Sequence, residues 1–203
     1  MKVEGLPKIV QVAAGWHHSV VLDENGNIWI WGSDPSFQTG DVIKKIIEKP
    51  TKFNSLPKMK KVTCGSWHSL SIDVNQNVWA WGKNFFGILG TGDTISHFAP
   101  VKIEMLKDIQ DIGGGCFQSF AMDKNEKIWT FGDNNCGQLG TGNFNRFLLP
   151  TELRLDAHES KEENVLFSQG FKNLLEILKY LLIIGSLGLN VFLLRKLKAV
   201  KSQ

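Results

Sequence analysis

The stretch GSWHSLSIDVNQNVWAWG, residues 65–82, decides the fold because it reads as two strands joined by a tight turn. Apolar and polar residues alternate in SLSI at 69–72, and the alternation resumes in VWAW at 78–81 after a polar turn. Alternation with a period of two is typical of a β-strand with one buried face. It places Trp79 and Trp81 on one face of the second strand, so that both are expected in a core, and Ala80 on the other.

The same pattern occurs three times at an interval of 50 residues without an insertion. Periodicity of this kind indicates a repeat architecture, in which each unit buries its apolar face against its neighbours. The positions in register are Gly15, Gly65 and Gly115; Ser19, Ser69 and Ser119; Asp23, Asp73 and Asp123; Asn25, Asn75 and Asn125; Trp29, Trp79 and Trp129; Gly32, Gly82 and Gly132; Gly40, Gly90 and Gly140; and Pro50, Pro100 and Pro150.

A fourth short strand is predicted to begin at each of the three register prolines, where no backbone donor is needed. Four short strands in a unit of this length are typical of a propeller blade. We therefore predict an all-β fold, a partial β-propeller of about three four-stranded blades, within residues 1–156. The repeats run at about 9–58, 59–108 and 109–156.

The repeat resembles that of the regulator of chromosome condensation family, whose pattern is Gly-x-x-His-Ser, then W-x-W-G, then G-x-L-G-T-G. The three parts stand at 65–69, 79–82 and 87–92, and the third part recurs at 137–142. The first repeat has lost most of the Gly-rich loop. The resemblance implies a closed propeller of about seven repeats, within the usual range of blade numbers.

The resemblance also implies a function, because the family includes a guanine-nucleotide exchange factor for a small GTPase of the Ran type. It implies a protein partner, either a small GTPase or a ubiquitin-pathway protein. Exchange in that family draws on acidic residues just before the His of the Gly-x-x-His turns. None of the matching residues is acidic: they are Trp16, His17, Ser66, Trp67, Cys116 and Phe117. We predict a non-enzymatic interaction module or scaffold, with the exchange factor as the alternative.

His18 and His68 are the residues that suggest catalysis or metal binding. They stand at the same place in separate repeats, so we expect them to lie apart, each bonded to a neighbouring turn. The third repeat has Gln118 at this position. Glutamine can replace a hydrogen-bonding histidine but not a general base.

No other motif in the sequence predicts chemistry. No Lys-Ser or Lys-Thr follows the loop glycines Gly90 and Gly140, which excludes a P-loop. The register aspartates begin hairpin turns, where a carboxylate accepts backbone N–H groups, and Asn25-Gly26 favours a type I′ turn. We predict no catalytic residue, no metal site and no cofactor.

Charge and cysteines bound the remaining possibilities. Up to Asp156 the chain has sixteen Lys/Arg and sixteen Asp/Glu, so no basic footprint for nucleic acid is predicted. Cys64, Cys116 and Cys136 are scattered, and all three are interpreted as reduced packing residues.

The C-terminal part departs from the repeat. Residues 157–164 are a polar linker, and residues 165–203 predict an apolar α-helix with a basic end. The candidate membrane segment is 174–194, bounded by Leu174 and Leu194, and it is uncharged from Tyr180 onward. Three interpretations stay open: a membrane anchor, a helix packed on a protein surface, or the unrelated end of a truncated longer repeat protein. The expected location is the cytoplasmic face of a membrane, or the cytoplasm.

Self-association is a further expectation. Blades in this family combine strands of consecutive repeats, which leaves residues 150–155 as an orphan strand beyond two complete blades. Two chains that exchange such strands would close a six-bladed ring. The competing expectation is an open arc covered by the tail or by another protein.

Overall fold

The computed structural model of the chain describes residues 3–33 and 46–154. These residues form antiparallel sheets of four strands each, with a short 3-10 turn at Phe85–Gly87. The first sheet contains β1 (Ile9–Ala14), β2 (His18–Asp23), β3 (Ile28–Ser33) and β4 (Ile46–Lys52). The second contains β5 (Met59–Cys64), β6 (His68–Asp73), β7 (Val78–Gly82) and β8 (His97–Lys102). The third contains β9 (Ile109–Gly114), β10 (Gln118–Asp123), β11 (Ile128–Gly132) and β12 (Phe147–Leu153).

Within each sheet the strands follow one another in chain order, so each blade is one sequence repeat. The predicted all-β fold with four-stranded blades is confirmed. The predicted assignment of the proline-containing strands is wrong, because β4 pairs with β3 and β12 pairs with β11 of the same repeat. The edge of the third strand is the first unpaired edge that the chain meets, and pairing there satisfies its backbone groups. The predicted orphan strand at 150–155 is therefore wrong, because residues 150–153 belong to β12 of the third blade.

The apolar core lies between the blades. The core between the first and second blades consists of Val20, Leu22, Ile28, Ile30, Met59, Val62, Cys64 and Trp81. The core between the second and third blades includes Leu70, Ile72, Val78, Ala80, Ile88, Leu89, Ile109, Ile112 and Phe131. Strand alternation sends Trp81 into the first core and Ala80 into the second, which confirms the predicted faces of β7.

The two tryptophans of β7 differ in depth. Trp81 is fully buried, with 0% of its surface exposed, whereas Trp79 is half-buried at the rim of the same core. Trp79 stays near the surface because its indole Nε1 donates a hydrogen bond to Asp73 Oδ2 at 3.0 Å. The core tryptophan of this repeat is therefore Trp81, and the expectation that placed Trp79 equally deep is corrected.

The predicted linker at 157–164 and the predicted helix at 165–203, with Leu174, Tyr180 and Leu194, lie outside the described residues. Across residues 3–33 and 46–154, the search for a membrane-spanning segment found no helix of the required length and apolarity.

We expect Trp81→Ala to lower the free energy of unfolding by roughly 3–5 kcal/mol, because it empties a closed site between two blades. Trp81→Phe should cost much less, about 1–2 kcal/mol, because Phe131 fills the same position in the next blade. Chemical denaturation of the full chain measures both values.

The matched control is Trp16→Ala, since Trp16 is exposed. That substitution should change the free energy of unfolding by no more than about 0.5 kcal/mol. Equal losses from Trp16→Ala and Trp81→Ala would contradict the assignment of Trp81 to the core.

Candidate functional site

The Gly-x-x-His turns stand in a row at one end of the blades. In each turn the glycine N–H donates to the carbonyl three residues later, for example Gly15 to His18 at 2.9 Å. Backbone bonds also join neighbouring turns: Trp16 N donates to Ser66 O at 3.2 Å, and Ser66 N donates to Gly115 O at 3.1 Å. The sequence repeat thus becomes a continuous strip of turns across the described blades.

Glycine is required in these turns because the histidine ring lies over it. A Cβ atom at Gly15 would overlap the imidazole of His18, and one at Gly65 would overlap that of His68. In the third blade a Cβ at Gly115 would overlap the side-chain amide of Gln118. The spacing of glycine and histidine in the motif is therefore a packing requirement.

Each histidine bonds to the next blade. His18 Nε2 shares a hydrogen bond of 3.0 Å with Ser69 Oγ, and His68 Nε2 shares one of 2.8 Å with Ser119 Oγ. The expected bond to a neighbouring turn is corrected, because the partner is the serine that follows the motif one repeat later. These bonds tie the blades together in a row.

The chemistry of His68 follows from its partner. Ser119 Oγ donates its single proton to the carbonyl of Ile88 at 2.7 Å, so it accepts from His68 Nε2. Nε2 of the ring therefore carries a proton. Burial, and secondarily the charge of nearby His18, lowers the pKa of His68 to about 3. Burial, and secondarily the charge of His17, lowers the pKa of His18 to about 4. Neither ring meets solvent, and both are 2% exposed or less.

The register aspartates lie at the opposite end of the blades. Asp23 Oδ1 accepts the N–H groups of Asn25 and Asn27 at 2.9 and 2.8 Å. Burial opposes ionisation of Asp23, but the bonds from Trp29, Asn27 and Asn25 outweigh it and lower the pKa of the carboxyl to about 2. The predicted capping role agrees with this geometry.

The hairpin that Asp23 caps is not the type I′ turn that Asn25-Gly26 favours. Among its central residues only Gly26 has a positive φ, of 76°, and Gln76 and Glu126 have φ values of 66° and 64° at the same position. A type I′ turn requires positive φ at two successive residues.

The tryptophan register residues serve these caps. Trp29 and Trp79 donate their indole N–H groups to the aspartate of the same hairpin, at 3.0 Å in both cases. In the third hairpin, Asp123 Oδ1 accepts the N–H groups of Asn125 and Lys127 at 2.8 and 3.1 Å, and these bonds lower the pKa of the carboxyl against the opposing effect of its burial. This cap closes on itself and leaves no carboxylate oriented toward a substrate.

Glycines at or next to the ends of β3, β7 and β11 allow the strands to pass the turns. Gly32, Gly82 and Gly132 have φ values of 119°, 111° and 110°. A Cβ at Gly32 would collide with His17 O, and one at Gly132 would collide with Phe117 O. The W-x-W-G motif therefore fixes the contact between the third strand and the turn strip.

The Gly-rich loops are organised by an asparagine that the motif analysis missed. Asn84 Oδ1 accepts from Leu89 N at 2.9 Å, and its Nδ2 donates to Thr91 Oγ1 at 3.1 Å and to Asp93 O at 3.0 Å. Asn134 makes the matching bonds to Leu139, Thr141 and Asn143. The 50-residue spacing of the two asparagines is the signal that identifies them in the sequence.

The loop glycines Gly90 and Gly140 belong to this arrangement. Their φ values are 70° and 71°, and Gly90 lies against the ring of Phe131. Leu89 and Leu139, one residue before each glycine, are fully buried. The loops insert an apolar side chain into the fold instead of presenting amides to a phosphate.

Aromatic side chains cover the turn strip on its outer side. Trp16 is 63% exposed and lies edge-on to Trp67 with ring centroids 5.0 Å apart, and His17 lies 5.8 Å from Trp67. Further along the strip Phe86 contacts Phe117 at 5.4 Å. We call Trp16, His17, Trp67 and Phe117 the turn face.

The cysteines differ from one another. Burial raises the pKa of the Cys64 thiol to about 12, and the residue packs in the core as predicted. Cys116 and Cys136 are exposed, so the packing interpretation is wrong for them. Within residues 3–33 and 46–154, no three His, Cys, Asp or Glu side chains gather in a way that would hold a metal ion.

Two sequence profiles of the regulator of chromosome condensation (RCC1) repeat match this chain. One matches residues 25–72 and 75–122, and the other matches residues 9–38 and 59–88. The chain belongs to the RCC1 repeat family. The RCC1 profile units start within hairpins, so they run across the blade boundaries seen in the structure. A search of curated proteins found no match.

Several solved structures share the fold. Human WBSCR16 superposes with a TM-score of 0.66 at 20% identity, over 72% of this chain and 40% of that one. A structure of Kap60 bound to yeast RCC1 (Prp20) gives 0.68 at 19% identity, over 76% and 38%. Prp20p from Saccharomyces cerevisiae gives 0.67 at 19% identity, over 76% and 40%. The chain thus spans about two fifths of the length of these solved chains.

We expect the stability of the RCC1 repeats to fall in mild acid because the buried histidines must stay neutral. The folded pKa of His68 lies below its unfolded value of 6.5, so its contribution is complete above pH 6.5 and is lost as the pH falls toward 3. His68→Gln should remove up to about 1.4 kcal/mol per pH unit from the slope of unfolding free energy against pH.

Denaturation of the full chain between pH 7 and pH 4.5 measures this slope. At pH 7 the variant should lose only about 1–2 kcal/mol, because one hydrogen bond is weakened and Gln118 already occupies this position in the third blade. Gln110→Asn, at an exposed residue that does not titrate, is the control and should keep the parent slope. A slope unchanged by His68→Gln would contradict the buried neutral state.

Proposed function

We propose that this RCC1-repeat chain is a non-enzymatic protein-interaction module that binds its partner through the turn face. The observation that carries the proposal is the exposed Trp16 held edge-on to Trp67. Large aromatic side chains in the open are the residues that dominate binding energy at protein interfaces. Backbone hydrogen bonds between the turns hold the pair in place. Little conformational entropy is therefore lost when a partner binds.

The same positions argue against exchange activity. The family resemblance assigns exchange to acidic residues before the histidine, and the turn face has aromatic rings there. Prp20p is described together with its binding to Gsp1p and histones. A small GTPase is therefore a candidate partner for this chain, bound without acceleration of nucleotide release, and a ubiquitin-pathway protein is the other candidate.

Site-specific photo-crosslinking in cells tests the proposal. A photoreactive phenylalanine analogue in place of Trp16 should capture a defined protein partner, and adding Trp67→Ala should lower the yield about tenfold, as expected for loss of a central aromatic contact. The same analogue at Asn125, exposed at the hairpin end, is the control and should not capture that partner.

Two results would contradict the proposal. One is capture of the same partner from position 125 with no effect of Trp67→Ala, which would move the binding surface away from the turn face. The other is acceleration of fluorescent-nucleotide release from a Ran-type GTPase well above background, which would make the chain an exchange factor despite its aromatic turns.

We also propose that residues 174–194 hold the module at the cytoplasmic face of a membrane. Support comes from the uncharged run from Tyr180 to Leu194 and from the four basic residues after it, which favour contact with an anionic lipid surface. Full-length protein should stay in the membrane pellet after carbonate extraction.

The variant Ile183→Lys should release the protein, because a charge in the middle of a lipid-embedded segment costs several kcal/mol. Val74→Lys, at an exposed valine of the second blade, is the control and should stay in the pellet. Full-length protein that is extracted completely by carbonate would refute the anchor and leave the cytoplasm as the location.

A further inference from the structure

The first blade exposes a surface that is buried in the other two blades. Val12 is 72% exposed, whereas its equivalents Val62 and Ile112 are 1% and 7% exposed under the preceding blade. Ala14 is exposed while Cys64 is buried, and Trp31 is half-buried while Trp81 is fully buried. We call Val12, Ala14, Ser19 and Trp31 the leading face. Its residues are equivalent to those that the second and third blades bury against the preceding blade.

The hydrogen bonds between blades indicate what this surface receives. Ser69 and Ser119 each bond the ring of the histidine at the start of β2 and β6 in the blade before. Ser19 occupies the same register position in the first blade. Within the described residues it has no such partner. The equivalent partner for Ser19 is a side chain at the histidine position of a Gly-x-x-His turn in another blade.

The third blade carries the complementary surface. In β10, Ser119 and Ala121 face the second blade, so alternation turns Phe120 and Met122 the other way. Their equivalents in the second blade, Leu70 and Ile72, are fully buried against the third blade. We call Phe120, Met122 and Ile128 the trailing face.

We infer that the leading face binds the trailing face of a second copy of this chain, head to tail. Inside the chain, the first blade packs on the second and the second on the third through surfaces equivalent to the trailing and leading faces. The contact between copies repeats this interface. At the new contact, Gln118 takes the place of the histidine, since its side-chain amide lies over Gly115 as the His68 ring lies over Gly65. Its Oε1 accepts from Phe117 N at 3.1 Å, and its amide N–H group is the donor for Ser19.

We expect two copies to close a ring. The described residues of one copy form three blades, so those of a head-to-tail pair form six, within the range of four to eight found in propellers. The pair has two identical contacts related by a twofold axis and leaves neither apolar face open. Within residues 3–33 and 46–154 of one chain, no blade covers either face.

Light scattering of the full chain tests the inference, in one mild detergent so that the tail is treated equally in all samples. The parent chain should have twice the mass of one polypeptide. Val12→Lys should have the mass of one, because it places a charge in the apolar contact. Val74→Lys introduces the same charge at an exposed valine outside the leading face and should keep the doubled mass.

Mixing separates this head-to-tail contact from other modes of association. Met122→Lys, on the trailing face, should also have the mass of a single chain. A mixture of the Val12→Lys and Met122→Lys chains keeps one intact pair of faces and should recover the doubled mass. A parent chain of single mass, or a doubled mass that survives Val12→Lys, would overturn the inference. No recovery on mixing would also overturn it.

Discussion

The blades depend on an imidazole that crosses from one sheet to the next over a glycine. Removing the Cβ at Gly15 and Gly65 leaves room for the ring, and the ring then reaches a serine hydroxyl in the following blade. Burial keeps that ring neutral, so the link is a hydrogen bond between uncharged groups in an apolar surrounding, where an unpaired group would be costly. The turn strip, the register of the blades and the position of the aromatic rings follow from it.

The strands were predicted well from the sequence because the two faces of a strand are buried in two different cores. Alternation alone assigned Trp81 and Ala80 to opposite faces. It did not predict the residue at which a blade begins, because a 50-residue repeat gives the spacing of the blades but not the boundary between them. Whether β4 joins the preceding or the following strands is decided by backbone pairing, which side-chain pattern does not record. The same limit applies to Trp79, whose depth depends on its bond to Asp73.

The candidate site was predicted in part. The turn residues were identified by spacing, and the absence of acids there argued against exchange activity before any geometry was known. The bond between His18 and Ser69 joins positions 51 residues apart, in two separate register classes, and only the stacking of blades brings them together. Asn84 and Asn134 were missed although they share the period, because an asparagine beside glycines looks like ordinary loop composition.

The two ends of the blades differ in what they leave open. At the hairpin end, Asp23 and Asp73 accept bonds from their own turns and tryptophans, so these positions keep one residue type in all three repeats. At the turn end, the side chains of the two residues before the histidine position make no comparable hydrogen bonds within the described residues, and they change from Trp-His to Ser-Trp to Cys-Phe. The scaffold is therefore fixed by its hydrogen-bonded positions while the chemistry of the turn face is free to vary, which is what an interaction surface on a repeat fold requires.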